Sequence, residues 1–200
     1  LRQMAEEFQL ADSIFDAEVS RAEDRLAGAQ LVVDALDGVL PDSVTARQLV
    51  FGAGLAHWLQ DPDVPREAWA ELVSTGGLRL IESEGVRREV ALFYRLTDQQ
   101  AEFHLEWIEY VRPYRLAINS ILPPRLLLGI ARDRIDGVPL PDSLVPDRDE
   151  LVRDLATSVT LPAAMGDLLT NNWAAVWQYR RLSEHARSVE ALIRTEIDDT

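Results

Sequence analysis

The sequence contains no lysine and no cysteine, and all 20 of its basic residues are arginine. Without lysine the chain cannot form a Schiff base, build a phosphate-binding P-loop or use a lysine as a general base. Without cysteine it has no thiol nucleophile, no thiolate ligand for zinc and no disulfide. These two absences exclude several classes of enzyme, while the second is neutral about the redox compartment.

Acidic residues outnumber basic residues in this chain. Its 34 acidic residues outnumber the 20 arginines, which gives a formal net charge of −14 over 200 residues. A charge of this sign repels the phosphate backbone of nucleic acids. We therefore expect no nucleic-acid partner.

Long apolar runs are missing as well. The longest candidate, residues 116–131, is interrupted by Asn119, Pro123, Pro124 and Arg125, and so falls short of the ~18 apolar residues that a membrane span requires. Sustained period-two alternation, the pattern of a half-buried strand, is also absent. The sequence predicts a soluble, all-α chain of one-domain size.

Two long helices are predicted at the ends of the chain. Apolar or small residues recur every three or four positions from Leu1 to Leu36, with Glu6 and Glu7 on the solvent side, and again from Met165 to Ile193. Gly38 and Pro41 should end the first helix. Because an isolated long helix gains little stability from propensity alone, we predict that the two helices pack together. Asn172 lies in the second apolar seam, where it would fix the register.

Shorter helices are predicted between these two. Asp42 or Ser43 can cap the second helix, and the glycine pair Gly76-Gly77 can provide a left-handed turn between two others. The resulting fold is an all-α helical bundle in which 1–200 forms a single helical domain. The predicted short helices run from the cap to residue 59, and over 65–74, 84–111, 126–134 and 148–159. Pro113 either kinks or restarts the longest of these helices, and Pro123-Pro124 marks a further break.

Two tryptophans are candidates for a ligand site. Trp173 and Trp177 share one face of the last predicted helix, with Asn171 and Arg180 nearby as polar side chains. An aromatic pair of this spacing is typical of a buried helix stripe, and we favour core packing. The alternative is that the four residues Trp173, Trp177, Asn171 and Arg180 bind a small ligand in a pocket floored by the two rings.

Metal and cofactor chemistry has little support in the sequence. Glu102, Glu106 and Glu109 share a helix face near His104, but no histidine follows a glutamate at the Glu-x-x-His spacing of helical di-metal sites. We favour a solvated acidic face over a cation site, and we predict no metal site and no cofactor. His57 is interpreted as a cation at a helix C-terminus, stabilised by the helix dipole.

Gly52-Ala53-Gly54 resembles the start of a dinucleotide-binding loop, but His57 stands where the third glycine belongs and no strand precedes it. We interpret this segment as a place where two helices cross closely.

One segment resembles a known signature. The residues Glu71-Leu-Val-Ser-Thr-Gly-Gly-Leu-Arg-Leu-Ile81, then Val86-Arg87, then Phe93-Tyr94, are similar to the pattern E-L-x-S-S-G-N-L-x-L-I, then L-R, then a tyrosine pair. That pattern belongs to a family of uncharacterised bacterial membrane-anchored proteins. The resemblance covers about 24 residues. It departs from the pattern at Gly77 where asparagine is usual, at Val86 where leucine is usual and at Phe93 in place of the first tyrosine.

The resemblance implies one transmembrane helix before residue 1 and a helical extracytoplasmic, periplasmic domain, and it implies no catalytic residues. A chain that begins at Leu1 within a helical pattern fits this expectation. We therefore predict a non-catalytic interaction or sensing module of a membrane-anchored protein, with a protein partner or self-association. The alternative functions are a small-ligand-binding helical domain and, third, a metal-dependent enzyme.

Overall fold

The computed structural model of the chain describes residues 1–198, with Leu80 described by its backbone only. Within these residues the protein is all-α, with no strand, as the sequence predicts. Two short 3-10 helices, Gly77–Leu80 and Asp142–Leu144, supplement the α-helices. The α-helices are α1 (Arg2–Leu36), α2 (Ala46–Leu55), α3 (Glu67–Thr75), α4 (Glu84–Tyr110), α5 (Arg112–Ile121), α6 (Pro124–Asp136), α7 (Arg148–Ala156) and α8 (Leu161–Asp198).

The chain divides into two compact units. Unit 1 contains residues 1–20, residues 60–104 and the chain from Ala175 onward, and unit 2 contains residues 21–59 and 105–174. Unit 1 is built around the aromatic rings of Phe8, Phe15, Phe93 and Tyr94. The prediction of a single domain over 1–200 stays a prediction.

The two long helices pack together, which confirms the main architectural prediction. In unit 1 the ring of Phe15 on α1 stacks on Tyr179 of α8, with 6.2 Å between the ring centroids. The Ser183 hydroxyl donates to Asp12 over 2.7 Å, and Arg187 donates to the same carboxylate over 3.0 Å. Contacts that move forward along α1 move backward along α8, so the two helices are antiparallel.

The predicted bounds of α2 are wrong at both ends. Thr45, and neither Asp42 nor Ser43, is the N-cap, because its side chain accepts from the Gln48 N–H while the Gln48 side chain accepts from the Thr45 N–H. This reciprocal capping box satisfies two backbone donors at once. The helix ends at Leu55, four residues before the predicted end at Leu59.

Two predicted roles of glycine are confirmed, a left-handed turn at Gly76-Gly77 and a close helix crossing at Gly52-Ala53-Gly54. Gly76 ends α3 with φ 69°, in the left-handed region. In unit 2, α1 and α2 cross at Gly28 and Gly52, where a Cβ built on Gly28 would lie 2.7 Å from the Gly52 Cα. Such an approach excludes any side chain at Gly28 unless the backbones separate.

Asn172 is fully buried, and its Nδ2 donates to the carbonyl of Ala56 over 3.0 Å. Ala56 is the C-cap residue of α2, where carbonyls lack partners within the helix. In unit 2 the amide of Asn172 therefore secures the end of α2.

Candidate functional site

The tryptophans of the predicted ligand site lie at the surface. Trp173, in unit 2, is 62% exposed, and Trp177, in unit 1, is 53% exposed. The core-packing interpretation is therefore wrong for both. Asn171 donates to the Asp167 carbonyl of its own helix over 2.8 Å, Arg180 is exposed, and the ligand-binding prediction for these four residues stays a prediction.

The acidic residues of α4 face solvent. Glu102, Glu106 and Glu109 are each exposed, which confirms the solvated interpretation. Among residues 1–198, no group of three or more histidine, aspartate or glutamate side chains is arranged to hold a metal ion.

His57 does not have the role of a cationic cap. It follows the C-cap of α2, but burial, together with the positive charge of Arg115, lowers the pKa of its imidazole to about 4. The ring packs at a tilt against Tyr114, with 5.9 Å between the ring centroids. A neutral imidazole is not attracted to the helix dipole as a cation would be, so the capping interpretation is wrong.

A cavity in unit 1 is the candidate ligand site. Its volume is about 250 Å³, and we call it the unit 1 cavity. One wall is α4, one is the segment that precedes α3, and α1 contributes an aromatic ring. The lining residues are Phe15, Asp61, Pro62, Asp63, Val64, Arg66, Thr97, Gln100 and Ala101.

The segment before α3 forms a fixed wall of this cavity. Pro62 and Pro65 restrict its backbone, and Arg66 anchors its end to α4. The guanidinium of Arg66 donates to Asp98 over 3.0 Å and to the Thr97 hydroxyl over 3.4 Å. Because Asp98 neutralises Arg66, the unpaired charges of the cavity are the carboxylates Asp61 and Asp63, which are exposed and make no ion pair within residues 1–198.

Gln100 is the one polar lining side chain with an unmet hydrogen bond in the described part of the cavity. The residue is 5% exposed, and its Nε2 is buried without a hydrogen-bond partner among residues 1–198. Thr97, one turn earlier, is satisfied, because its hydroxyl donates to the Tyr94 carbonyl over 2.8 Å. Buried polar groups in folded proteins are almost always paired, but the Nε2 atom of Gln100 is itself closed to water, so it does not face the open space of the cavity.

A buried carboxylate lies at the start of α3 in the same unit. Glu7, expected on the solvent side of α1, is 7% exposed. Its Oε1 accepts from the Ala68 N–H over 2.7 Å, and its Oε2 accepts from the Tyr94 hydroxyl over 3.3 Å. Burial and the adjacent Glu7 carboxylate raise the pKa of Tyr94, so its hydroxyl remains a donor.

A second surface of interest lies on α6, in unit 2. Leu128 and Ile135 are 55% and 64% exposed, and Arg125 and Arg132 are exposed beside them. Spacings of three, four and three residues place these four side chains on one side of the helix. We call Arg125, Leu128, Arg132 and Ile135 the α6 face.

Sequence reasoning missed the unit 1 cavity and the α6 face. The only local signal near the cavity was the segment Asp61-Pro-Asp-Val-Pro65. This segment predicts the end of a helix, and nothing in it predicts that it lines a cavity. Gln100 belongs to no motif. On α6, the alternation of arginines with aliphatic residues was visible, but which of them are covered depends on tertiary packing.

No helix in residues 1–198 is both long enough and apolar enough to cross a membrane. No family of known proteins matches the chain, and neither a curated protein nor a solved structure does. The resemblance of the segment from Glu71 to Tyr94 stays a prediction.

Proposed function

We propose that this chain is a non-catalytic interaction module that binds a protein partner through the α6 face. The observation that carries the proposal is the combination on that face of two well-exposed aliphatic side chains, Leu128 and Ile135, with two arginines. Exposed apolar residues rimmed by charged ones are typical of protein interaction sites.

The charges on the α6 face indicate the chemistry of the partner. Arg125 and Arg132 make no ion pair or hydrogen bond through their side chains within residues 1–198, while the chain as a whole carries a net charge of −14. These arginines are available for a carboxylate on another molecule. We therefore assign to the partner an amphipathic surface that presents acidic residues beside an apolar patch.

Site-specific photo-crosslinking in the cells that naturally produce the protein tests this proposal. A photoreactive phenylalanine derivative is placed at Leu128 or Ile135, and at Leu116 as the control. Leu116 lies on α5 in the same unit and is similarly exposed, at 62%. We expect one discrete adduct with a second protein from the two α6 positions and none from Leu116.

Charge reversal separates a specific partner from general stickiness. The double substitution Arg125→Glu/Arg132→Glu should abolish the adduct at Leu128, because it removes the attraction and adds repulsion against an acidic partner. Arg153→Glu on α7 of the same unit is the matched control and should leave the adduct intact. An adduct that survives the double reversal, or one whose mass is that of two copies of this chain, contradicts the proposal.

The proposed location is extracytoplasmic, as the soluble part of a bacterial membrane-anchored protein. Its support is the resemblance of the segment from Glu71 to Tyr94. In intact spheroplasts, added protease should digest this domain of the full-length gene product, with a cytoplasmic protein as the protected control. Protection of the domain until the membrane is lysed would place it inside the cell.

A further inference from the structure

We infer that a second copy of this chain docks on α8 of unit 1, so that the two α8 helices lie antiparallel across a two-fold axis. The docking surface consists of Trp177, Arg181, Glu184 and Ser188, which we call the α8 seam. All four residues belong to unit 1, and the inference does not depend on the α6 face. It rests on the exposure of the seam, on its charges and on its complementarity to itself.

The α8 seam is an exposed stripe of the helix. Spacings of four, three and four residues place its members on one side of α8. Trp177 is 53% exposed, and the other three members are exposed as well. The fully buried Ala186 lies on the opposite side of the helix. Within the described part of unit 1, the seam therefore faces solvent.

The indole ring of Trp177 is held in place by Arg181. The guanidinium lies over the ring, with 5.5 Å between Cζ and the ring centroid. This cation–π contact orders both side chains before a partner arrives, which lowers the entropic cost of binding. Tryptophan and arginine are also the residues that most often dominate the binding energy of protein interfaces.

The two charged members of the seam are available to another molecule. Neither Arg181 nor Glu184 makes an ion pair within residues 1–198. The charge of Glu184 also acts on Arg187, but the N–H groups of Arg187 donate to Asp12. A stacked guanidinium keeps its in-plane N–H groups for a carboxylate. The seam thus presents one cation beside one anion, each without a hydrogen-bonded partner of opposite charge.

One antiparallel register satisfies both the charges and the sizes of the seam. In a two-fold contact, if Arg181 of each copy lies opposite Glu184 of the other, the ion pair forms twice. Because paired antiparallel helices run in opposite directions, the same register sets Trp177 opposite Ser188. Ser188 is small and exposed, so it leaves room for the indole. The seam is therefore complementary to itself, which identifies the occupant as a second copy.

The resulting dimer is reversible. The seam is one helix wide, whereas stable complexes bury ~800 Å² on each partner. Each copy also carries a net charge of −14, which opposes association. We therefore expect the dimer to form at high protein concentration and to dissociate on dilution.

Sedimentation velocity of the whole chain, from micromolar to millimolar concentration at physiological ionic strength, should show a monomer–dimer equilibrium. Trp177→Ala should weaken the dimer about tenfold, because it removes the largest side chain of the interface. Leu10→Ala is the matched control and should not change the equilibrium, since Leu10 lies on α1 of the same unit and is 52% exposed.

Exchanging the charges tests the register. Arg181→Glu and Glu184→Arg each place two pairs of like charges across the axis, so each alone should weaken the dimer about tenfold. An equimolar mixture of the two variants should associate like the parent protein, because every opposed pair again has opposite signs. Arg95→Glu, exposed on α4 of the same unit, matches the net charge of Arg181→Glu and should have a much smaller effect.

Photo-crosslinking of the purified protein separates this inference from the proposed function. A photoreactive residue at Ala191, exposed beside the seam, should give an adduct of two copies, whereas one at Leu128 should not. Loss of the partner adduct at Leu128 would contradict the proposed function alone. Absence of the two-copy adduct at Ala191 would contradict the α8 contact alone.

Three further results would overturn the inference. One is a chain that stays monomeric at millimolar concentration, and another is an equal effect of Trp177→Ala and Leu10→Ala. The third is a mixture of the two charge variants that associates no better than either one alone, which would show that Arg181 and Glu184 do not meet across an axis. Circular dichroism confirms that each variant is folded.

Discussion

The carboxylate of Glu7 on α1 accepts a hydrogen bond from the backbone N–H of Ala68, with 2.7 Å between Oε1 and N. Ala68 lies in the first turn of α3, whose N-cap residue, Arg66, makes no capping hydrogen bond through its side chain. The first N–H groups of a helix have no partner within it, and a negative charge there also interacts favourably with the helix dipole. Glu7 thus caps α3 from a different helix.

Replacing Glu7 should therefore destabilise the protein. Glu7→Leu leaves the Ala68 N–H and the Tyr94 hydroxyl without their acceptor, and we expect the free energy of unfolding to fall by about 2 kcal/mol. Urea denaturation measures the change. The adjacent Glu6→Leu, at an exposed position, should stay within ~0.5 kcal/mol of the parent protein. Equal effects of the two substitutions would show that the contact contributes nothing.

His57 should make the protein less stable in acid. Its pKa is about 4 in the folded protein and ~6.5 in the unfolded chain, so between these values the unfolded state binds more protons. Stability should therefore fall as the pH drops from ~6.5 through about 4, by a total of about 3 kcal/mol from this residue. Above pH ~6.5 its contribution is constant.

Denaturation curves between about pH 4 and 7 check this expectation, because His57→Leu should flatten the dependence on pH. An NMR titration of the imidazole, assigned by its loss in the variant, should place its midpoint near the value of about 4 given by burial. A midpoint at the ordinary value would contradict the prediction.

Two glycine-to-alanine substitutions in unit 2 should change the free energy of unfolding in opposite directions. In Gly28→Ala the new Cβ would lie 2.7 Å from the Cα of Gly52, so the two helix backbones must separate, at a cost of about 1–3 kcal/mol. Gly166 lies inside α8, and apart from the local helix backbone a new Cβ there would meet no atom within 4 Å. Gly166→Ala should therefore stabilise the protein by up to ~1 kcal/mol through helix propensity. Thermal unfolding of both variants makes the comparison. A neutral Gly28→Ala would mean that the crossing is loosely packed.

At the turn after α3, the effect of a substitution on stability depends on the backbone conformation of Gly76 and not on the room available for a side chain. Gly76 has φ 69°, and a Cβ added to it would meet no atom within 4 Å. Gly76→Val should destabilise the protein by more than ~1 kcal/mol, because a β-branched residue is strained at positive φ, whereas Gly76→Asn should cost less. Chemical denaturation of the two variants tests the order, and the reverse order would rule out backbone strain as the cause.

Features determined by nearby residues are predictable from the sequence, and those determined by distant residues are not. The spacing in α1 and α8 and the left-handed turn at Gly76 follow from local periodicity and from glycine's conformational freedom. The start of α2 differs from the prediction because a reciprocal pair, Thr45 with Gln48, outweighs the earlier capping candidates. Glu7 is predicted on the solvent side because its partner Ala68 is 61 residues away.

The same distinction applies to the candidate site. Gln100 becomes notable only when Phe15 and the segment from Asp61 are folded against it, and no local pattern in α4 marks it. The spacing of Trp173 and Trp177 is typical of a buried stripe, but spacing does not show which side of a helix is covered. Only the tertiary arrangement separates Trp107, which is 1% exposed, from those two rings.

The antiparallel pairing of the first and last helices has a consequence for biosynthesis. The hydrogen bond between Asp12 and Ser183 joins residues 171 positions apart, and that between Asp12 and Arg187 joins residues 175 apart. Closing so long a loop is slow, and contacts of this kind cannot form before both α1 and α8 have been synthesised. During translation the apolar seam of α1 in unit 1 therefore stays without its partner until α8 has left the ribosome, and until then it is exposed to contacts with other molecules.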